Sequence, residues 1–312
     1  MYDNDKNITD VFKSAKSPLL AEKDYLECLI LDNLFSDPYF KDNFVFAGGG
    51  TITKIYQLGN RIGQDIDLAL TEFDTNPQNS SQLHRFRTRF TKFVFNDLNI
   101  KITGTLSEIG EFSIITDAQY RAQNHITTGC ASPTLHVIYS SQINPTIKGD
   151  INIEFIPRHY SPESIQHGPA TPYSTGIQMT QDIPAVHYAQ TFWDKVFALH
   201  TIHEIGVMRP GLANHYSDVA NLSKSVNLDT TQDMLMSIAD YQRQFTTRKM
   251  TPLKSFRDVK LLPSVPDMKR LSIDYQQMQN RFIGDKVESW PRVLITINRL
   301  NRNINTLQEK QK

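Results

Sequence analysis

Between Phe44 and Leu70 the chain reads FVFAGGGTITKIYQLGNRIGQDIDLAL: an apolar run of strand length, three glycines, a helical stretch, and a second strand with aspartates at alternate positions. Glycines between a strand and a helix let the main chain approach a ligand closely, and the N–H groups at the helix start attract phosphate. Thr51 is placed to cap that helix and Lys54 to fall about one turn along it. Gly48, Gly49, Gly50, Thr51 and Lys54 therefore read as a phosphate cradle. Asp65 and Asp67, two apart on a strand, share one face while Ile66 takes the other. Adjacent carboxylates repel unless a cation lies between them, and Mg²⁺ held jointly by carboxylates and phosphates suits such hard oxygen donors. Each half of the pattern also has a plainer reading, an ordinary Gly-Gly turn and a solvated strand end; the order of the halves gives them weight together. A P-loop is excluded because Lys54 is followed by Ile55 and preceded by Thr53, and a dinucleotide-binding turn is disfavoured because Thr53 stands where its third glycine belongs.

The rest of the chain sorts into strands early and helices late. Leu19 to Phe35 carries Leu26, Leu29, Ile30 and Leu34 at helical spacing, and Thr51 to Leu58 and residues 81 to 97 are further expected helices. Phe44 to Ala47, Ile66 to Leu70, Ile100 to Leu106, Glu111 to Thr116, Leu135 to Ser140 and Asp150 to Ile156 read as strands. Pro157 to Pro184, with five prolines, reads as an irregular excursion, after which AVHYAQTFWDKVFALHTIHEI opens a helical remainder. The expectation is an α+β fold: a mixed sheet flanked by helices over residues 1–185, then a helical domain over 186–312.

Composition is that of a globular chain, with 39% hydrophobic and 21% charged residues among 312. No apolar run is long enough to span a membrane, and the polar start MYDNDKNITD has the character of neither a signal nor a transit peptide, so a cytoplasmic location is expected. Two cysteines, Cys28 and Cys130, cannot form a disulfide framework or a thiolate zinc site by themselves. Charge is balanced overall but not along the chain: residues 241–312 hold 15 Lys and Arg against 6 Asp and Glu, a net +9 set against −9 in the rest. Such a segment suits nucleic acid or pairs internally with the acidic remainder; Arg243, Arg248, Lys249, Lys254 and Arg257 are its candidates for a polyanion.

GGGTITKIYQLGNRIGQDIDLAL resembles the signature of the AbiEii/AbiGii toxin family of nucleotidyltransferases, within the polymerase-β-like superfamily. Gly48, Gly49, Lys54, Tyr56, Leu58, Arg61, Asp65, Ile66, Asp67 and Leu68 match in register. AEKDYLECLILDNLF, TFWDKVFALH and NHYSDVANL resemble further family segments, so the likeness covers roughly residues 20 to 222. Gly50 departs from the family's Thr or Ser, as do Gly63 and Gln64 from Ser-Glu, and Asn214 replaces an arginine. The resemblance implies transfer of a nucleoside monophosphate from an NTP to an acceptor hydroxyl, with pyrophosphate released. It implies a toxin, of a toxin–antitoxin or abortive-infection system, acting on RNA such as tRNA and controlled by a cognate antitoxin. It also implies a third carboxylate on a neighbouring strand: DINIEFIP offers Glu154, with Asp150 in reserve, to complete an Mg²⁺ site with Asp65 and Asp67 and to deprotonate the attacking hydroxyl. Lys195 and Asp218 match helical segments and are implied in nucleotide binding, with a helix–helix salt bridge as the alternative. The Gly50 departure keeps a second function in view, an inactive nucleotide-sensing or partner-binding protein of the same fold.

His200 and His203 lack the internal glutamate of a zinc-peptidase helix and read as structural, and His215 and Tyr216 as packing residues. HRFRTRFTKF sets Phe86, Phe90 and Phe93 at core spacing beside Arg85, Arg89 and Lys92; an aromatic-basic surface for RNA is one reading, and an amphipathic helix with a solvated basic edge is the favoured one.

Overall fold

The computed structural model describes residues 8–59, 61–63, 65–71, 80–127, 132–206, 210–228, 259–282 and 287–306. The chain divides into two compact units, one of Met1–Gln57 with Ile62–Val186 and one of Leu58–Arg61 with His187–Lys312.

The first unit begins with helices α1 (Ile8–Ser14), α2 (Pro18–Ser36) and α3 (Pro38–Asn43). Pro18 and Pro38 each stand in a first turn, where a missing N–H costs nothing, and the Asp37 carboxylate caps α3 by accepting from the Tyr39 N–H at 2.8 Å. Strand β1 (Phe44–Ala47) leads directly into the short helix α4 (Gly48–Lys54), and β2 (Asp65–Leu70) follows. Next come α5 (Ser80–Phe93), a π-turn at Val94–Leu98, α6 (Asn99–Leu106), β3 (Ser113–Thr116), α7 (Asp117–Asn124), β4 (Thr134–Ser140), β5 (Lys148–Ile156), β6 (Ile165–Gly168) and β7 (Ile183–Val186). One seven-stranded sheet results, in the order β3-β4-β5-β2-β1-β7-β6. It is mixed: β2 runs parallel to β5 and β1 to β7, and the remaining pairs are antiparallel.

Alternation along β2 and β5 makes the sheet two-faced. Ile66, Leu68, Ile151, Ile153 and Phe155 are fully buried, whereas Asp65, Asp67, Asn152 and Glu154, on the opposite face, are only half-buried. Phe40 packs at a tilt on Phe44, centroids 5.5 Å apart, and Phe155 stands edge-on to Phe44 at 6.1 Å.

Three expectations need correction. Ile100–Leu106 is the helix α6, not a strand: Leu98, Ile102 and Leu106 are buried at four-residue steps while Ile100 is 75% exposed, so the apparent alternation was half of a helical stripe. The helix after the glycines begins at Gly48 rather than Thr51 and ends at Lys54. The stretch read as irregular, 157–184, contains β6 and the start of β7; Pro184 is accepted because the chain there needs only one short antiparallel partner and one bridge to β1.

The second unit is helical where described: α8 (Tyr188–Ile205), α9 (Ala213–Leu222), α10 (Val265–Met278) and α11 (Trp290–Thr306). Phe192, Trp193, Val196 and Leu199 of α8 are wholly buried. Tyr216, Tyr275 and Trp290 meet at ring distances of 5.3 and 5.6 Å, tying α9, α10 and α11 together. Asp274 accepts from the N–H groups of Gly211 and Ala213, each at 2.8 Å, which satisfies donors at the start of α9 that a helix leaves unpaired.

Candidate active site

The polar face of the sheet gathers carboxylates by register. Across the parallel ladder Asp65 stands opposite Asn152 and Asp67 opposite Glu154, so Glu154 and Asp67 form one row and Asn152 and Asp65 the next. Asp150 falls one row further, opposite Ile138 of β4, beyond the first residue of β2. Asn152 Nδ2 donates to Asp65 Oδ1 at 2.8 Å, fixing that carboxylate, while Asn152 Oδ1 is buried with no hydrogen-bond partner.

Gly48 brings main chain against this face. Its φ of +71° lies in the left-handed region, and a Cβ there would collide with the Asp67 carboxylate. Gly50 is required differently: a Cβ would stand 2.7 Å from Phe46 Cζ, so the buried Phe46 ring leaves no room for a side chain at position 50. The neighbouring hydroxyls do not replace it, because Thr51 Oγ1 donates to the Gly48 carbonyl at 2.8 Å and Thr53 Oγ1 to the Gly50 carbonyl at 3.4 Å. Thr51 thus lies inside α4, whose N-cap is Ala47, with no side chain capping the first turn.

Lys54 is placed elsewhere than in the expected cradle. Its ammonium is fully buried, 2.6 Å from Asp24 and 2.8 Å from Glu27 of α2. Burial alone disfavours its charge, but Glu27 and Asp24 more than offset this and raise its pKa above the ordinary lysine value. Asp24 also accepts from the Ser174 N–H and hydroxyl, each at 3.1 Å. With both carboxylates engaging it, Lys54 locks α4 onto α2 and has no charge to spare for a phosphate.

Glu154 is the most perturbed carboxyl of the polar face. Burial, then the charges of Asp65 and Asp117, push its pKa up to about 7. Asp117 was not picked out from the sequence. It opens α7 behind the Thr116–Gln119 capping box and is held by Arg121 Nε at 2.9 Å, with His136 Nε2 at 3.5 Å. His136 is opposite Asn152 in the β4–β5 ladder and stacks on Tyr120 at 3.9 Å. Only the TDAQ capping pattern marked a helix start there, and nothing in it announces which strand the aspartate approaches.

Among the described residues no three His, Cys, Asp or Glu side chains converge closely enough to enclose a metal by themselves. The donor set nevertheless fits Mg²⁺, which prefers hard oxygens and usually takes only one or two carboxylates, the rest of its shell being water and substrate phosphate. The orphaned Asn152 oxygen and the proton retained by Glu154 both mark a site short of positive charge.

In the second unit, Asp218 Oδ2 lies 2.8 Å from Arg61 Nη2 and 2.9 Å from Lys195 Nζ. Burial pushes the Asp218 carboxyl up, but Arg61 and Lys195 outweigh it and hold the group at about 2. His215, beside them, is kept neutral down to about 3, by burial first and then by Lys195. The helix–helix salt bridge is therefore present, joined by Arg61. His200 and His203 have separate partners, His200 Nδ1 accepting from the Lys260 N–H at 3.2 Å and His203 Nε2 meeting Tyr216 Oη at 3.0 Å. Arg243, Arg248, Lys249, Lys254 and Arg257 lie outside the described residues.

The family model for the nucleotidyl transferase AbiEii toxin of type IV toxin–antitoxin systems matches residues 29–295. No curated protein matches the chain in sequence. Among solved structures, MenT4, a nucleotidyltransferase toxin from Mycobacterium tuberculosis, is similar at 16% identity and a TM-score of 0.45, over 93% of this chain and 91% of that one.

Proposed function

The chain belongs to the AbiEii family of nucleotidyltransferase toxins, and from that premise we propose that it transfers a nucleoside monophosphate from an NTP to a hydroxyl of an RNA acceptor such as tRNA, under the control of a cognate antitoxin. The observation that carries this reading is the in-register row of Asp67 and Glu154, with Asp65 and Asn152 beside it and Gly48 packed against Asp67.

Asp65, Asp67 and Glu154 would hold Mg²⁺, which when bound supplies Lewis-acid polarisation of the phosphate oxygens. Asn152 holds Asp65 in one orientation, and the missing Cβ at Gly48 leaves the Asp67 carboxylate its room. The N–H groups of Gly48, Gly49 and Gly50, which no side chain caps, with Thr51 completing the turn, face the triphosphate in this reading. The acceptor oxygen forms a bond to the α-phosphorus as the bond to the bridging oxygen breaks and pyrophosphate departs. Glu154 takes the proton of the attacking hydroxyl.

Incubation with each labelled NTP, Mg²⁺ and total RNA tests the proposal. Wild type should label RNA from at least one NTP, and Asp67→Asn should lower labelling by at least about 100-fold, the scale of an electrostatic group lost from a phosphoryl-transfer site. Equal labelling by the variant would sink the assignment. The Phe46 ring in place of a hydroxyl at position 50 keeps a second reading open, a nucleotide-binding protein without transfer; Mg²⁺-dependent NTP binding with no labelling of any RNA would favour it.

A further inference from the structure

We propose that the exposed face of α5 docks the phosphate backbone of the acceptor RNA, an inference that rests on the RNA-acceptor reading above. The helix separates its residues sharply. Leu83, Phe86 and Phe90 are buried, with the two phenyl rings parallel and 6.1 Å apart, so these aromatics are core and are not offered to nucleobases. His84, Arg85, Arg87, Thr88, Arg89 and Lys92 are exposed.

The charge of this face is unusually one-sided. No Asp or Glu occurs from residue 75 to residue 96, while four cations fall within the eight residues from Arg85 to Lys92. Arg85, Arg89 and Lys92 follow one another at steps of four and three, placing a positive group about every 5 to 6 Å along one stripe. Like charges four apart weaken a helix by a few tenths of a kcal/mol, and an acidic residue in the series would reverse that sign. A face needed only for solvation gains from such interleaving; a face that meets a polyanion does not. The chain has no net charge that could attract RNA as a whole, so attraction falls to local basic patches, of which this face is one and the segment 241–312 another.

RNA is favoured over an acidic protein because the patch has no apolar centre. Protein interfaces are anchored by buried aromatic or aliphatic groups inside a polar rim, and α5 has no fully exposed one, Phe93 at its end being half-buried. The contrast is α11, where Arg292, Arg299 and Arg302 are exposed around Ile295, itself 61% exposed.

The test uses the full-length chain, with total tRNA as probe, and measures the slope of log affinity against log salt. Arg85→Gln with Lys92→Gln should make the slope shallower by about 1.4, since each phosphate neutralised contributes about 0.7 to 0.9. The control Arg292→Gln/Arg299→Gln/Arg302→Gln should leave the slope unchanged, and all variants should keep the wild-type melting temperature. An unchanged slope in the α5 variant overturns the inference, as does an equal loss in the α11 control. Loss of affinity for poly-L-glutamate without loss for tRNA would assign the face to an acidic protein and also overturn it. The two readings fail separately: RNA labelling that survives in the α5 variant with an unaltered slope removes the docking face alone, whereas a flattened slope in a protein that labels no RNA removes the transferase alone.

Discussion

Two clusters of charge in this chain are built on opposite terms. On the sheet face of the first unit, Asp67 stands beside Glu154 with Asp65 in the next row, and burial with the charges of Asp65 and Asp117 pushes the Glu154 pKa up to about 7. In the second unit, Asp218 is shared by Arg61 and Lys195 and stays ionised down to about 2. Burial penalises the charge in each, less on the half-buried sheet face than at the buried Asp218, and the partners differ. A cluster that carries its own counter-charge holds the fold together whether or not a ligand arrives. Glu154, raised by burial and by neighbouring carboxylates, is left with an electrostatic cost that a cation can remove, which favours the carboxylate face over the Asp218 cluster as the proposed metal site.

Lys54 gives the severest test of that distinction. Its removal strands Asp24 and Glu27 without their cation in the interior, and losing one partner of a buried ionic group costs about 3 to 5 kcal/mol. Lys54→Ala should therefore lower the denaturation midpoint more than any other change considered, with NTP affinity following stability and not falling ahead of it. A fully stable Lys54→Ala protein that binds nucleoside normally but loses NTP would return Lys54 to the phosphate cradle and break the comparison.

Asp218→Asn should come next, at about 3 kcal/mol, because it leaves Arg61 and Lys195 facing each other with no anion between them. The pH dependence follows from the depressed pKa. The wild-type contribution is fully present above the unfolded value of 3.8 and is lost as pH falls toward about 2, so wild type and variant should converge there. His215 has the same sign in a higher window: the unfolded imidazole takes up a proton near 6.5 and the native one only near 3, so its contribution declines as pH falls between them. Urea titrations at pH 7 and pH 3 measure both effects, and a gap between Asp218→Asn and wild type that widens in acid would contradict this account.

The carboxylate row was legible in sequence because strand period is two: Asp65 and Asp67 had to share a face, and Asn152 and Glu154 likewise. What sequence could not supply was register and depth. Glu154 was preferred over Asp150 from the family resemblance, but its place opposite Asp67 depends on a parallel pairing of β2 with β5 that no local pattern states. Lys54 looked like a phosphate ligand because its position on α4 was read without knowing that α2, thirty residues earlier, buries two carboxylates against it. Asp117 was invisible for the same reason, since only the sheet brings β3 and α7 toward Glu154. Gly50 looked like a defect in the motif until Phe46 was seen to occupy its space. Periodicity reports which way a side chain points within its own element; it is silent about what a distant element places opposite.

The smallest effect expected has the reverse sign and sharpens the comparison most. In the metal-free protein the Glu154 pKa is raised from 4.5 to about 7, first by burial and then by Asp65 and Asp117. Between those values the native state binds more protons than the unfolded one, so this group lowers stability as pH rises, opposite to Asp218. The shift corresponds to at most about 3 kcal/mol, and access of solvent to part of the carboxyl reduces it to about 1 to 2. Glu154→Gln removes the charge while keeping the shape. It should therefore match wild type near pH 4.5 and exceed it by that amount at pH 8 with chelator present. Adding Mg²⁺ at pH 8 should stabilise wild type and narrow the gap, because the cation supplies what the carboxylates lack and gains less from an amide. A Glu154→Gln protein less stable than wild type at pH 8 without metal would mean that the face is already compensated by the protein itself, and the contrast between the two clusters would collapse.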